Sequence, residues 1–421
     1  MQKKVIALAI AGLFSGAAFA QSALAPVPAG PTSLAMYGIL DVSVVMDKSG
    51  FGNKTHVASG GGPGSRIGLR ANEDLGNGLS AIFLLEAGVQ LDTGTVGAGA
   101  QAPGVNRAQV SSAFGGGFAN NVATGNQVIS RQAFVGLSSK TLGGLTLGRQ
   151  YSAMVPVYAT TDVFGFATGG TMFGAFAYIP GYTTRQNNIA SYRSPSFFDG
   201  VRVEAVAGSG SENNVNGDDL TLGRSDEGGR LLGFNVMYNK GPLNLAGAYQ
   251  EVNANTAITA AQTQVISNRG WVVGANYNFG MLKLYAGYAE GKEHDRAGTG
   301  LVYPTPAAPG AVNAPLLIPQ EANAWHIGVN VPAFKGNFLA GYSKLRDKTT
   351  NVNGADFQIW AINYRYPLSK RTMVYTSFAK GINDANATRI LLGGGDTAAL
   401  VATSKAGFNP SRWDFGITHS F

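Results

Sequence analysis

The stretch YSAMVPVYATTDVFGFATGGTMFGAFAYIPGYTT, residues 151–184, decides how the rest of the chain must be read. Asp162 is its only charge, with Arg149 just before the stretch and Arg185 just after it. The flanks LTLGRQ (145–150) and NNIASYRS (187–194) read as short strands. A loop this long among strands is either functional or disordered, and disorder requires polar composition with few aromatics. This loop is aromatic, which predicts that it folds into the interior of something hollow. The remaining chain must supply the hollow.

Working outward, segments of roughly ten residues alternate apolar with polar or small residues, each bounded by turn residues. They cover 34–45, 65–72, 79–92, 130–138, 145–150, 187–194, 201–208 and 231–238, then 243–251, 270–278, 282–291, 322–331, 337–343, 356–364, 372–380 and 412–421. Connections alternate in length. Short ones fall at 73–78, 139–144, 195–200, 239–242, 279–281, 332–336 and 365–371; long ones at 46–64, 93–129, 151–186, 209–230, 252–269, 292–321, 345–355 and 381–411. An even set of sixteen strands, with short turns at one end and long loops at the other, is the asymmetry of a membrane barrel. The predicted fold is an all-β, transmembrane antiparallel β-barrel of 16 strands whose third extracellular loop is folded inward.

Parity assigns the faces. In 79–92, Leu79, Ala81, Phe83, Leu85, Ala87 and Val89 share one side, while Ser80, Glu86, Gln90 and Asp92 share the other. The charged side must face a water-filled interior. The outward sets elsewhere include Trp271, Val273, Ala275 and Tyr277, and Trp325, Ile327, Val329 and Val331; Trp and Tyr near strand ends suit an interfacial girdle. At the C-terminus Trp413, Phe415, Ile417, His419 and Phe421 alternate with Arg412, Asp414, Gly416, Thr418 and Ser420. Terminal residues usually fray, so an aromatic ending an alternating strand predicts that Phe421 is held by pairing with the first strand. In lipid each unpaired backbone group costs several kcal/mol, which makes closure compulsory.

Residues 1–20 carry Lys3 and Lys4, an apolar run from Val5 to Phe14, and then Ala18-Phe19-Ala20. Those are the parts of a cleaved signal peptide, too short in its apolar core to span a bilayer; the mature chain is expected to begin at Gln21. Without the two leader lysines, 29 basic residues stand against 24 acids, so 29 − 24 = +5. That mild, dispersed charge argues against a nucleic-acid surface. Cys is 0, which removes disulfides, cysteine-ligated metals and thiol nucleophiles. The four His (His56, His294, His326 and His419) have no metal-ligand spacing, and no cofactor is expected. Charged residues make up only 13% of the chain, below the roughly 25% of soluble domains.

With these features in place, the chain resembles the general bacterial porins of the beta-proteobacterial trimeric type. The resemblance covers residues 36–421 and is carried by MYGILDVSVV (36–45), GSRIGLRANEDLGNG (64–78), SRQAFVGLSS with LGRQY (130–151), ASYRSPSFFDG (190–200) and the terminal WDFGITHSF. It implies that 21–421 form one barrel domain, a homotrimer in the outer membrane of a Gram-negative bacterium, in contact with lipid and lipopolysaccharide. Small hydrophilic solutes would diffuse through it. The outer-membrane assembly machinery would read the C-terminal strand, with Trp413 and Phe421 as its signal.

Arg66 and Arg70 share a face opposite Ile67 and Leu69, and an Arg facing lipid at mid-membrane costs roughly 2–4 kcal/mol, so both should face the lumen. Arg131 is ambiguous from parity because Ala133, Val135 and Leu137 accompany it. The resemblance places Arg131 in the family's basic cluster with Arg66, Arg70 and Arg185, and Arg149 as a weaker member. Family porins set acids of the inward loop against this cluster; here the loop offers only Asp162. The expectation is an anion preference. Two unit charges at 4 Å in water interact by about 1 kcal/mol and the Debye length is roughly 8 Å at physiological salt, so the bias should be modest.

Other functions fit less well. A barrel enzyme needs a nucleophile and base in geometry, and scattered His without Cys leave little to build one. A secreted β-rich adhesin is the structural alternative, and it predicts solubility without detergent. Tyr158, Phe164, Phe166, Phe173, Phe176 and Tyr178 offer a sugar track for a solute-specific channel, or simply pack on the wall. Gly60-Gly61-Gly62 and Gly393-Gly394-Gly395 lack the Gly-Lys-Ser/Thr ending of a phosphate loop and read as flexible extracellular loop, as does the Pro-rich 301–319.

Overall fold

The computed structural model describes residues 31–96, 128–209, 230–259, 262–295, 321–349, 353–391 and 404–421. The leader at 1–20, the Pro-rich 301–319 and Gly393-Gly394-Gly395 lie outside them. The strands are β1 (Ser33–Lys48), β2 (Asn53–Ser59), β3 (Arg66–Gly76), β4 (Leu79–Gln90), β5 (Thr95–Val96), β6 (Gln132–Ser139), β7 (Gly143–Tyr151), β8 (Arg185–Arg193) and β9 (Val201–Ser209). They continue with β10 (Arg230–Lys240), β11 (Leu243–Thr259), β12 (Gln262–Asn278), β13 (Lys283–Asp295), β14 (Glu321–Ala333), β15 (Gly336–Asp347), β16 (Phe357–Pro367), β17 (Thr372–Asn383) and β18 (Ser411–Ser420). Two short helices, α1 (Val155–Thr161) and α2 (Phe173–Phe176), lie between β7 and β8.

All neighbours pair antiparallel, and β18 returns to β1 in a register from Ile39↔Ser420 to Lys48↔Ser411. The terminal residue is held as the alternation requires: Gly38 N–H donates to Phe421 O and Phe421 N–H to Gly38 O, both at 3.1 Å. The wall is therefore closed. β2 and β3 share one place beside β1, β2 along Val42 to Lys48 and β3 along Ser33 to Ile39. β5 is a two-residue stub on the end of β4. The eighteen strands thus fill 18 − 2 = 16 wall positions.

Exposure confirms the parity. In β16, Trp360 and Ile362 are 53% and 59% exposed, whereas Phe357 and Asn363 are 0% and 2%. The exposed face is the apolar belt that meets lipid, and it carries aromatic pairs such as Trp271 with Tyr288 at 5.2 Å, Tyr342 with Trp360 at 4.3 Å and Phe378 with Trp413 at 4.6 Å. Here rings that are apolar in body and polar at one edge suit the bilayer boundary.

Two connections differ from the sequence reading. Residues 252–269, expected as a long loop, continue the β11–β12 ladder to Thr259↔Gln262. Gly60-Gly61-Gly62, expected as flexible extracellular loop, is buried. Where the chain leaves the wall between β2 and β3, Gly62 N–H donates to Asp41 Oδ1 at 2.8 Å. A Cβ on Gly62 would fall 2.5 Å from Asp41 Oδ2, so the position demands glycine through close approach rather than looseness. Gly62→Val is accordingly expected to reduce the yield of folded barrel several-fold, read as the heat-modifiable band on unboiled gels; unchanged yield would mean this contact is soft.

Candidate functional site

Residues 151–184 pack against the buried face of β10 to β16, the face opposite the apolar belt. Met154, Tyr158, Phe164, Met172, Phe176 and Tyr182 join Ala246, Val272, Ala324, Leu339, Phe357 and Ala361 in one apolar cluster. Polar residues of that face tie down the segment's carbonyls: Asn235 Nδ2 donates to Ala153 O at 3.0 Å, Gln250 Nε2 to Gly181 O at 2.7 Å, Asn276 Nδ2 to Thr160 O at 2.7 Å and Arg365 Nη2 to Phe164 O at 2.7 Å. Such polar positions, which period-two alternation places away from lipid, supply donors that the irregular backbone lacks. Each bond contributes about 1 kcal/mol net.

Four of the predicted arginines meet on the neighbouring wall. The registers Gly68↔Glu86, Glu86↔Gln132, Ala133↔Arg149 and Tyr151↔Arg185 bring their strands to adjoining rungs. Glu86, fully buried, is the hub: Arg131 Nε donates to Oε1 at 2.6 Å, the Tyr37 hydroxyl to Oε2 at 2.9 Å, and Arg66 Nε lies 3.7 Å from Oε2. Arg131 Nη2 also donates to the Tyr151 hydroxyl at 3.0 Å. Arg185 Nη2 donates to the same hydroxyl at 3.1 Å, its guanidinium 4.7 Å from the ring centre. Arg70 lies 5.5 Å over the Tyr37 ring. Arg149 stands beside this network, donating to Ser130 O at 2.8 Å and to Asn187 Oδ1 at 2.6 Å.

Two local departures from regular strand explain why parity alone leaves Arg131 and Arg149 undecided. Arg131 precedes β6, so it is not bound to the outward face of Val135 and Leu137, both more than half or half exposed. Arg149 sits in a bulge between Gly148 and Gln150, and bulges re-aim side chains. Gly148 has φ +133 and Asn188, on the opposite strand, φ +55.

Asp162 is not part of the cluster. It is 0% exposed and stands at the C-cap of α1, where its backbone N–H donates to Tyr158 O, while its carboxylate organises the turn that follows: Oδ1 accepts from Phe164 N at 3.0 Å and Met172 N at 3.4 Å, and Oδ2 from Phe166 N at 2.9 Å and from the Thr171 hydroxyl. A carboxylate wrapped in its own segment's donors does not line an aqueous path, which corrects the expectation that it opposes the arginines. Of the two readings open for the segment's aromatics, a sugar track or packing on the wall, burial favours packing. Tyr158, Phe164, Phe176 and Tyr178 are 0–4% exposed, with Tyr158 edge-on to Phe176 at 5.5 Å; only Phe166 and Phe173 are partly buried.

The model of the Gram-negative porin family matches residues 7–386. The chain belongs to the Gram-negative porins. An outer membrane porin protein of Bordetella pertussis is 28% identical over 93% of this chain and 99% of its own length. Outer membrane porin protein 32 of Delftia acidovorans is 27% identical with 100% of both covered. Among solved structures, the anion-selective porin from Comamonas acidovorans superposes with a TM-score of 0.70 at 21% identity, over 93% of this chain and 100% of its own. This porin is thus an outer-membrane β-barrel of a Gram-negative bacterium, a water-filled channel for passive diffusion of small hydrophilic solutes and ions, and its relatives are channels rather than enzymes.

Four residues of the porin's polar architecture escape the sequence reading. Glu86 was placed on the charged face without its role as counter-ion. Tyr37 on β1 and Tyr151 on β7 are single aromatics whose bonds to Glu86, Arg131 and Arg185 form only once the strands are paired. Arg365 was assigned to a turn but belongs to β16, is 4% exposed and bonds Phe164 O; the alternation of 356–364, continued one residue further, carries that signal.

Proposed function

We propose that this porin prefers anions, and that Arg66, Arg70, Arg131 and Arg185, with Arg149 beside them, set the preference. One observation carries the reading: among the described residues five guanidiniums share a stretch of wall with one carboxylate, Glu86, so 5 − 1 = +4, while the acid of 151–184 is consumed by donors of its own segment. The segment 151–184 acts as the inward third extracellular loop that narrows the channel. Its bonds to β10, β11, β12 and β16 support that placement. The fold shared with the anion-selective porin of Comamonas acidovorans accords with it. The porin works as a homotrimer embedded in outer-membrane lipid and lipopolysaccharide, delivered there after loss of residues 1–20 by assembly machinery that reads Trp413 and Phe421.

The test is the reversal potential of the purified porin in a planar bilayer across a potassium chloride gradient. Chloride is expected to be favoured. Replacing Arg66 and Arg70 together with alanine lowers the local charge from +4 to 4 − 2 = +2. With charges screened over roughly 8 Å, the chloride-to-potassium ratio should fall about twofold. A native preference for potassium would sink the reading, and an unchanged ratio in the double variant would remove those two residues from it.

A further inference from the structure

We infer that Tyr151 is a positioning residue of this anion filter, an inference that rests on the anion-preferring reading above. Arg131, just before β6, and Arg185, the first residue of β8, carry like charges and both donate to one phenolic oxygen, at 3.0 and 3.1 Å. That oxygen is the point where two guanidiniums that repel each other are held together. Arg131 is also tied to Glu86 at 2.6 Å, so its charge is largely matched. The Arg185 guanidinium lies over the Tyr151 ring at 4.7 Å.

Position in the fold favours the same role. Tyr151 is the last residue of β7 and pairs with Arg185, the first of β8, so the phenol stands where both ends of the 151–184 segment leave the wall. Its ring also packs against the apolar cluster that the segment forms. One side chain therefore couples the segment's root to the direction in which two arginines point. A tyrosine serves better than an acid here: its oxygen accepts from both guanidiniums without cancelling either charge, and the ring face adds attraction for a cation. A carboxylate at this place would reduce the local charge that the filter needs.

The experiment compares native porin with Tyr151→Phe, Arg185→Ala and the double variant, reading single-channel conductance and reversal potential. Tyr151→Phe keeps the ring, the packing and the total charge but removes the shared acceptor. It is expected to leave conductance within about 20% of native and to lower the chloride-to-potassium ratio about twofold, the range open to a displaced unit charge under screening. Arg185→Ala should lower the ratio at least as much. In the double variant the loss should fall short of the sum of the two single losses, since residues in one hydrogen-bond network are not additive. If Tyr151→Phe keeps the native ratio while Arg185→Ala lowers it, the filter reading stands and the role of Tyr151 falls. If native porin favours potassium, the filter reading falls with it. A ratio that drops only together with conductance marks Tyr151 as structural and overturns the inference.

Discussion

Replacing Asp162 with alanine is expected to release the tip of the 151–184 segment while leaving the barrel assembled. The carboxylate serves four donors from residues that follow it, and it makes no hydrogen bond to a strand among the described residues. The turn it organises is strained, since Phe166 and Thr168 hold φ of +61 and +67 without being glycine. Such residues store about 1–3 kcal/mol each, and each buried donor left without an acceptor adds about 1–3 kcal/mol. Losing one side chain should therefore unseat the turn, whereas the sixteen-position ladder, which Asp162 does not touch, remains. The measurements are single-channel conductance, expected to rise and become noisy, and proteolysis in detergent, expected to begin cutting within 162–172. Heat-modifiable mobility should stay native. The sign of ion selectivity should also persist, because the arginine wall is intact. A quiet channel of native conductance would show that the apolar packing of Tyr158, Phe164 and Phe176 holds the segment without its carboxylate. Asp162→Asn, which keeps one acceptor oxygen, should fall between.

What could be read in advance follows from the solvent on each side of the wall. Lipid outside and water or polar groups inside force a period of two on every spanning strand, so all sixteen wall positions were visible in the alternation of residues such as Trp271, Val273 and Tyr277. Where that constraint ends, legibility ends. The ladder of β11 and β12 continues through NANTAIT and QTQVISN, sequences without the apolar alternation that marks the other strands. The triple glycine at 60–62 looked like flexible loop because burial against Asp41 is a tertiary fact. The arginine cluster was found for a similar mixture of reasons. Arg66 and Arg70 obeyed parity, Arg131 and Arg149 needed a strand start and a bulge that only the backbone reveals, and resemblance to known porins supplied them. Asp162 stands out in the sequence as a solitary charge, yet a solitary charge fits both a filter and a turn. Only the four donors around it decide which.

Truncation at the seam should have the largest effect on assembly. Removing residues 411–421 strips β18 from both neighbours, which pair with it from Ile39↔Ser420 to Lys48↔Ser411 and from Thr372↔His419 to Lys380↔Ser411. β1 and β17 would then face lipid as open edges, at several kcal/mol for each unsatisfied group, far above the roughly 5–15 kcal/mol by which domains are stable. No heat-modifiable band and no channel activity are expected, either in cells or after refolding into detergent. The last residue offers a finer cut. Phe421→Ala keeps both backbone bonds to Gly38 but removes the ring, whose Cζ lies 2.3 Å from where a Gly38 Cβ would be. If the ring chiefly supports closure, yield should fall equally in cells and in refolding from urea. If it is the signal that assembly machinery reads, as we propose, refolding should proceed at nearly native yield while the amount in the outer membrane drops several-fold. Equal losses in both settings would assign Phe421 to the wall alone, and Trp413, 43% exposed and stacked with Phe415 at 6.0 Å, would then be the next residue to test.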